Sequence, residues 1–139
     1  MDQSFRWLLL IPACIAAWYL ALIIGLWVLS VVASFCPPEF VVSGFCEADW
    51  YPTAEKVVIG FGVALSAFLV VLTAALVAPI QRVWASKAAL AVGTVIAIFF
   101  AIGTGAYIAL AAAVLAGTLG VMLVVAFVAR KDLAKSQVR

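Results

Sequence analysis

Long uncharged apolar stretches alternate with short polar clusters along this chain, and the charged residues mark where each stretch ends. Between Arg6 and Glu39 lie 32 residues without a charge, between Lys56 and Arg82 lie 25, and between Lys87 and Arg130 lie 42. A helix needs about 20 apolar residues to cross the hydrocarbon layer of a bilayer. The first two stretches therefore predict one crossing each. The third would measure roughly 63 Å as a single helix at about 1.5 Å per residue, about twice the hydrocarbon thickness, so it must fold back.

The hinge falls at Gly103-Thr104-Gly105, where two glycines supply a permissive backbone and Tyr107 suits an interface. A hinge at Gly117-Thr118-Leu119-Gly120 would leave too few apolar residues for the last crossing. The expected spans are 7–34, 57–79, 88–103 and 106–129, with a loop at 35–55 and a tail at 130–139. Pro12 is expected about one turn into the first helix, and Pro79 to close the second. The predicted class is an all-α membrane protein, an antiparallel four-transmembrane-helix bundle in one domain with a single disulfide-stapled outer loop.

Composition supports this solvent. Of 139 residues, 69% are hydrophobic and 10% charged, and the mean hydropathy is +1.33. A soluble domain carries about 25% charged residues. Arg6, Arg82, Lys87, Arg130, Lys131, Lys135 and Arg139 fall on one side of the expected membrane. Only Lys56 falls on the other, beside Glu39, Glu47, Asp49 and Glu55. Seven of eight basic residues on one face predicts cytoplasmic termini, in a bacterial inner membrane. The first stretch is about twice the length of a secretory signal core, which favours an uncleaved anchor. Ile11-Pro12-Ala13-Cys14 resembles a lipoprotein box, but few apolar residues precede it, and Cys14 reads as a buried thiol.

The loop, FCPPEFVVSGFCEADWYPTAE, carries the chemistry outside the membrane. Cys36 and Cys46 flank two turn-forming pairs, Pro37-Pro38 and Ser43-Gly44, and an external loop sits in an oxidising compartment. A structural disulfide is expected. A redox dithiol would need a closely spaced second pair, and the chain has three cysteines in all. Around the pair, Glu39, Phe40, Phe45, Glu47, Asp49, Trp50 and Tyr51 form a candidate partner-binding surface of rigid aromatics with an acidic rim. The competing reading is an interfacial aromatic belt with solvated charges.

The expected spans contain no Asp, Glu, Lys, Arg, Asn or Gln, and the chain has no histidine. Ion-coupled transport needs intramembrane ionisable groups, so proton-coupled efflux of the kind served by a first-helix carboxylate is excluded. No base, metal site or cofactor site is expected, and a membrane enzyme is disfavoured. Ala13, Ala17, Ala21 and Gly25 form a four-spaced row in the first helix. Gly93, Ala97, Ala101 and Gly105 form one in the third, and Ala109, Ala113 and Gly117 one in the fourth, with Ala112, Ala116 and Gly120 alongside. Such rows let backbones approach closely in lipid, and they predict pairing of the third and fourth helices through these faces. Trp18, Tyr19, Trp27, Phe61, Phe68, Phe99 and Phe100 are expected to face lipid, or else to be knobs for another membrane subunit or the wall of a lipid or quinone site.

Gly25-Leu26-Trp27 followed by Cys36 and Cys46 resembles the first-loop signature of claudin-type tetraspan proteins. Here Gly-Leu-Trp lies inside the first span and the loop is too short for that family's extracellular sheet, so the chain is not assigned to it. The functional expectation is a non-catalytic binding protein, an accessory or stabilising subunit of a larger membrane complex or an immunity-type protein. Its partners would be the bilayer and another membrane protein or itself, with no nucleic acid. The alternative is a carrier or scramblase for a lipid or apolar molecule, as a homo-oligomer.

Overall fold

The computed structural model describes residues 3–78 and 81–137 and is built from four long helices. These are α1 (Gln3–Ser34), α2 (Tyr51–Val77), α3 (Arg82–Thr104) and α4 (Tyr107–Gln137). All four are long and apolar enough to cross a membrane by length and composition. Only 6% to 22% of each apolar span is buried inside the protein. The remaining Leu, Ile, Val and Phe surface far exceeds what a water-soluble monomer exposes.

The helices overrun the expected spans at five of their eight ends, and α2 stops two residues short at Val77. α3 begins at Arg82 instead of residue 88, and α4 continues through the basic tail to Gln137. A charge ends the apolar stretch but not the helix. Ala, Lys, Arg, Leu and Gln in that tail are strong helix formers, and cations near a C-terminus complement the helix dipole. Lys131 also lies 4.9 Å from the centroid of the Phe127 ring. Tyr51-Pro52 opens α2 earlier than expected, since proline fits the first turn of a helix. Pro12 stands well inside α1, which begins at Gln3, and not one turn from its start. Pro79 and Arg139 lie outside the described residues.

The chain reverses at Gly105, whose φ of 71° is left-handed and whose amide donates to the carbonyl of Ala101 at 2.8 Å. Gln81 also takes a left-handed conformation, φ 56°, on entry to α3. Ser66, Ser86, Thr94, Thr104 and Thr118 donate their hydroxyls to carbonyls three or four residues back, so these groups are satisfied within their own helices.

α2 is the hub. It packs against α1, α3 and α4, and α3 also packs against α4, while among the described residues α1 packs extensively on α2 alone. The seam between α1 and α2 is made by glycine. A Cβ on Gly25 would stand 3.6 Å from the Gly62 Cα, and one on Gly62 would stand 3.7 Å from the Gly25 Cα. Ala21, fully buried, lies one turn away, and the Cys14 Sγ is 4.0 Å from the Val70 carbonyl. These contacts run in reverse order along the two helices.

α3 and α4 pack together as expected, but the two small-residue rows are not buried along their whole length. Gly93 and Gly105 are exposed, and a Cβ on either would meet nothing within 4 Å. Ala97 is half-buried and Ala101 buried. In α4, Ala113, Gly117 and Gly120 are buried, with Ala109, Ala112 and Ala116 half-buried. Each buried glycine receives a large side chain: Gly117 the Leu90 of α3, and Gly120 the Val71 and Phe68 of α2. Phe68 is thus an internal knob, whereas Trp18, Tyr19, Trp27, Phe61, Phe99 and Phe100 are exposed. Small residues in lipid mark a face that can be approached closely, but not which helix approaches it.

Candidate functional site

The segment between α1 and α2 folds into a small ordered unit. α1 ends with a tightened turn, Phe35 and Cys36 donating their amides to the carbonyls of Val32 and Ala33. Pro37 is extended, φ −62° and ψ 138°, and Pro38–Phe40 form one 3-10 turn closed by the Phe40 amide on the Pro37 carbonyl. Strand β1 (Val41–Val42) then pairs antiparallel with β2 (Phe45–Cys46), Val41 opposite Cys46 and Val42 opposite Phe45. The Glu47 amide donates to the Phe40 carbonyl at 2.9 Å and extends the ladder by one rung.

Ser43-Gly44 makes the hairpin. Both residues have positive φ, 53° and 86°, as a two-residue loop that matches the twist of its strands requires. The sequence reading had reversal at this pair but no strands; the signal was there in Val-Val-Ser-Gly-Phe, apolar residues flanking a turn dipeptide. The disulfide joins Cys36 to Cys46, with Cα atoms 6.0 Å apart, and ties the second strand to the end of α1. It restrains a segment that two-residue strands alone would not hold.

Opposed residues share a face of a hairpin. Val41 and Cys46 therefore occupy the face carrying the disulfide, and Val42 with Phe45 the face turned away from it. Phe45 is 77% exposed and Val42 49%. Phe40 and Trp50 are also exposed, and Tyr51 is half-buried in edge contact with Trp50 at 5.9 Å between ring centroids. Glu39, Glu47 and Asp49 are exposed around them. The fold brings all seven predicted residues into one loop and its junction with α2. Sequence reasoning missed Phe35, 71% exposed where α1 gives way to the loop, and Ala48, buried beneath it, with its carbonyl accepting the Tyr51 amide.

Elsewhere the chemistry is sparse. Among the described residues, no three His, Cys, Asp or Glu stand close enough to hold a metal ion, and no buried side-chain N or O lacks a hydrogen-bond partner. Cys14 is half-buried in the α1–α2 seam. An open groove of about 240 Å³ runs along that same seam, bordered by Trp18, Leu22 and Leu29 of α1 and by Ile59, Val63 and Ser66 of α2. Comparison with known proteins finds no matching family model, no matching curated protein and no matching solved structure.

Proposed function

We propose that this chain is an integral membrane protein of the bacterial inner membrane, an antiparallel four-transmembrane-helix bundle with both termini cytoplasmic. It acts without catalysis, by binding another membrane protein, as an accessory or stabilising subunit or as an immunity-type protein that blocks a toxin. The observation that carries this reading is the disulfide-tied hairpin. It presents Phe45 and Val42 to solvent on the face away from the disulfide, with Glu39, Glu47 and Asp49 near by. Rigid exposed aromatics with an acidic surround favour a partner that offers an apolar pocket and basic residues. The reversed order of contacts between α1 and α2 and the basic excess at the far helix ends support the orientation.

The carrier or scramblase reading finds less support. A moving headgroup needs a polar path, and the one hydroxyl bordering the groove, on Ser66, donates to the Val63 carbonyl. Gentle extraction from the native membrane, followed by native mass measurement of wild type and of Phe45→Ala and Trp50→Ala, tests the proposal. A stoichiometric foreign membrane subunit is expected with wild type, its retention falling at least about 30-fold in one of the two variants if that residue is a hot spot worth about 2 kcal/mol. A homo-oligomer or bare monomer, or full retention by both variants, would overturn it.

A further inference from the structure

The groove between α1 and α2 is closed at its base by the Gly25–Gly62 approach and walled by bulky apolar side chains, Trp18, Leu22, Leu26 and Leu29 facing Ile59 and Val63. It runs over Val58 to Ser66 of α2, about 12 Å at 1.5 Å per residue. An apolar cavity of about 150 Å³ admits benzene, so 240 Å³ has room for roughly ten carbons of a hydrocarbon chain. Its walls offer such a chain no unsatisfied polar atom, since the Ser66 hydroxyl is bonded within its own helix.

What distinguishes this groove from ordinary lipid-facing surface is the pair of charges above one end. Glu55 lies four residues before Ile59 and seven before Gly62, and Lys56 lies three before Ile59 and seven before Val63. Residues at these spacings stack along one helix face. The two charges therefore straddle the line of the groove, one turn beyond its Val58–Ile59 end. Glu55 is half-buried and Lys56 exposed. They point about 100° apart around the helix, and among the described residues neither has an ion-pair partner. An anion and a cation held apart above an apolar slot complement a headgroup that carries both signs.

We infer that the α1–α2 groove binds one zwitterionic phospholipid, an acyl chain lying between Trp18 and Leu29, its phosphate on Lys56 and its ammonium on Glu55. The inference rests on the membrane reading of the four helices but not on the partner-docking role of the hairpin. Loss of either leaves the other standing.

The full-length protein, stripped of lipid in detergent, is titrated with dioleoyl phosphatidylethanolamine, dioleoyl phosphatidylglycerol and dioleoylglycerol, and bound copies are counted by native mass spectrometry. One phosphatidylethanolamine is expected, held about fivefold tighter than either of the others, the scale of a single charge contact at a membrane surface. Lys56→Gln should remove the preference over dioleoylglycerol, which has no phosphate, and Glu55→Gln the preference over phosphatidylglycerol, which has no ammonium. Ile59→Trp, at a position 48% exposed and so harmless to the core, should fill the groove and abolish retention. Leu20→Trp, on α1 outside the groove and 53% exposed, should leave binding unchanged. Equal binding of the three lipids, tighter binding of phosphatidylglycerol, or wild-type behaviour of Lys56→Gln, Glu55→Gln or Ile59→Trp would overturn the inference. So would an equal loss in Leu20→Trp.

Discussion

Replacing Gly25 with leucine should unseat α1 from the rest of the protein. The magnitude follows from the approach to Gly62. A methyl at Gly25 reaches 3.6 Å from the Gly62 Cα, ordinary van der Waals contact, so alanine fits. Alanine should also stabilise by up to about 1 kcal/mol, the usual gain over glycine within a helix. Leucine adds three more carbons to a Cβ already in contact with the Gly62 backbone, and these must wedge into the seam or fill the groove above it. Overpacking of this kind costs about 1–3 kcal/mol. Among the described residues α1 has no other extensive partner to hold it, so the strain is relieved by displacement. A shift of 2 kcal/mol is about 30-fold in the folding equilibrium. Titration of micelle-bound protein with a denaturing detergent, followed by circular dichroism, reads the difference between Gly25→Leu and Gly25→Ala. Gly93→Leu is the control, since a Cβ there meets nothing within 4 Å and the change should stabilise by up to about 1 kcal/mol, as replacing a glycine inside a helix does. If Gly25→Leu and Gly93→Leu unfold alike, the glycine seam is refuted.

Three further outcomes follow from the same geometry. Gly120→Ala should destabilise by about 1–3 kcal/mol, because its methyl would stand 3.2 Å from Cγ1 of Val71, buried and stiff at χ1; Gly117→Ala should cost less in the same titration, since it meets only the mobile end of Leu90. Cys36→Ser should weaken the loop by about 2–3 kcal/mol, the entropy of closing so short a ring, seen as faster amide exchange over residues 35–50 with helix protection unchanged. Gly44→Val, at φ 86°, should cost about 1–2 kcal/mol and raise exchange at the Glu47 amide, whereas Ser43→Gly should not.

The sequence reading and the structure part company at definite residues. Crossings could be counted from charge spacing, since a buried charge is costly in lipid whatever the tertiary fold, and the reversal at Gly105 follows from a local backbone need. Cys36 and Cys46 could be paired because turn residues stand between them. Helix ends were less legible: Arg82, Lys87 and the 130–137 segment are polar enough to leave the hydrocarbon yet remain helical in water. Helix partners were only partly legible: α3 packs on α4 as expected, but the place of α2 as hub was not read. Gly62, the residue that lets α1 approach α2, belongs to none of the small-residue rows, and Gly93, which does, faces open space. Every face of these helices is apolar, so periodicity cannot separate a face toward protein from one toward lipid. In the candidate loop the turn dipeptide between apolar residues signals a hairpin, but two-residue strands are too short for alternation to say which residues share a face, and the pairing register decides that Phe45 and Val42 do.

The central claim is that the hairpin lies on one side of a bilayer and the basic helix ends on the other. The native lysines test it without any substitution. Intact cells are treated with a membrane-impermeant amine-reactive ester, and modified peptides are identified by mass spectrometry before and after permeabilisation. The account predicts modification of Lys56 in intact cells, and of Lys87, Lys131 and Lys135 only after permeabilisation. Labelling of Lys131 or Lys135 from outside, or a Lys56 that reacts only in opened cells, would contradict it.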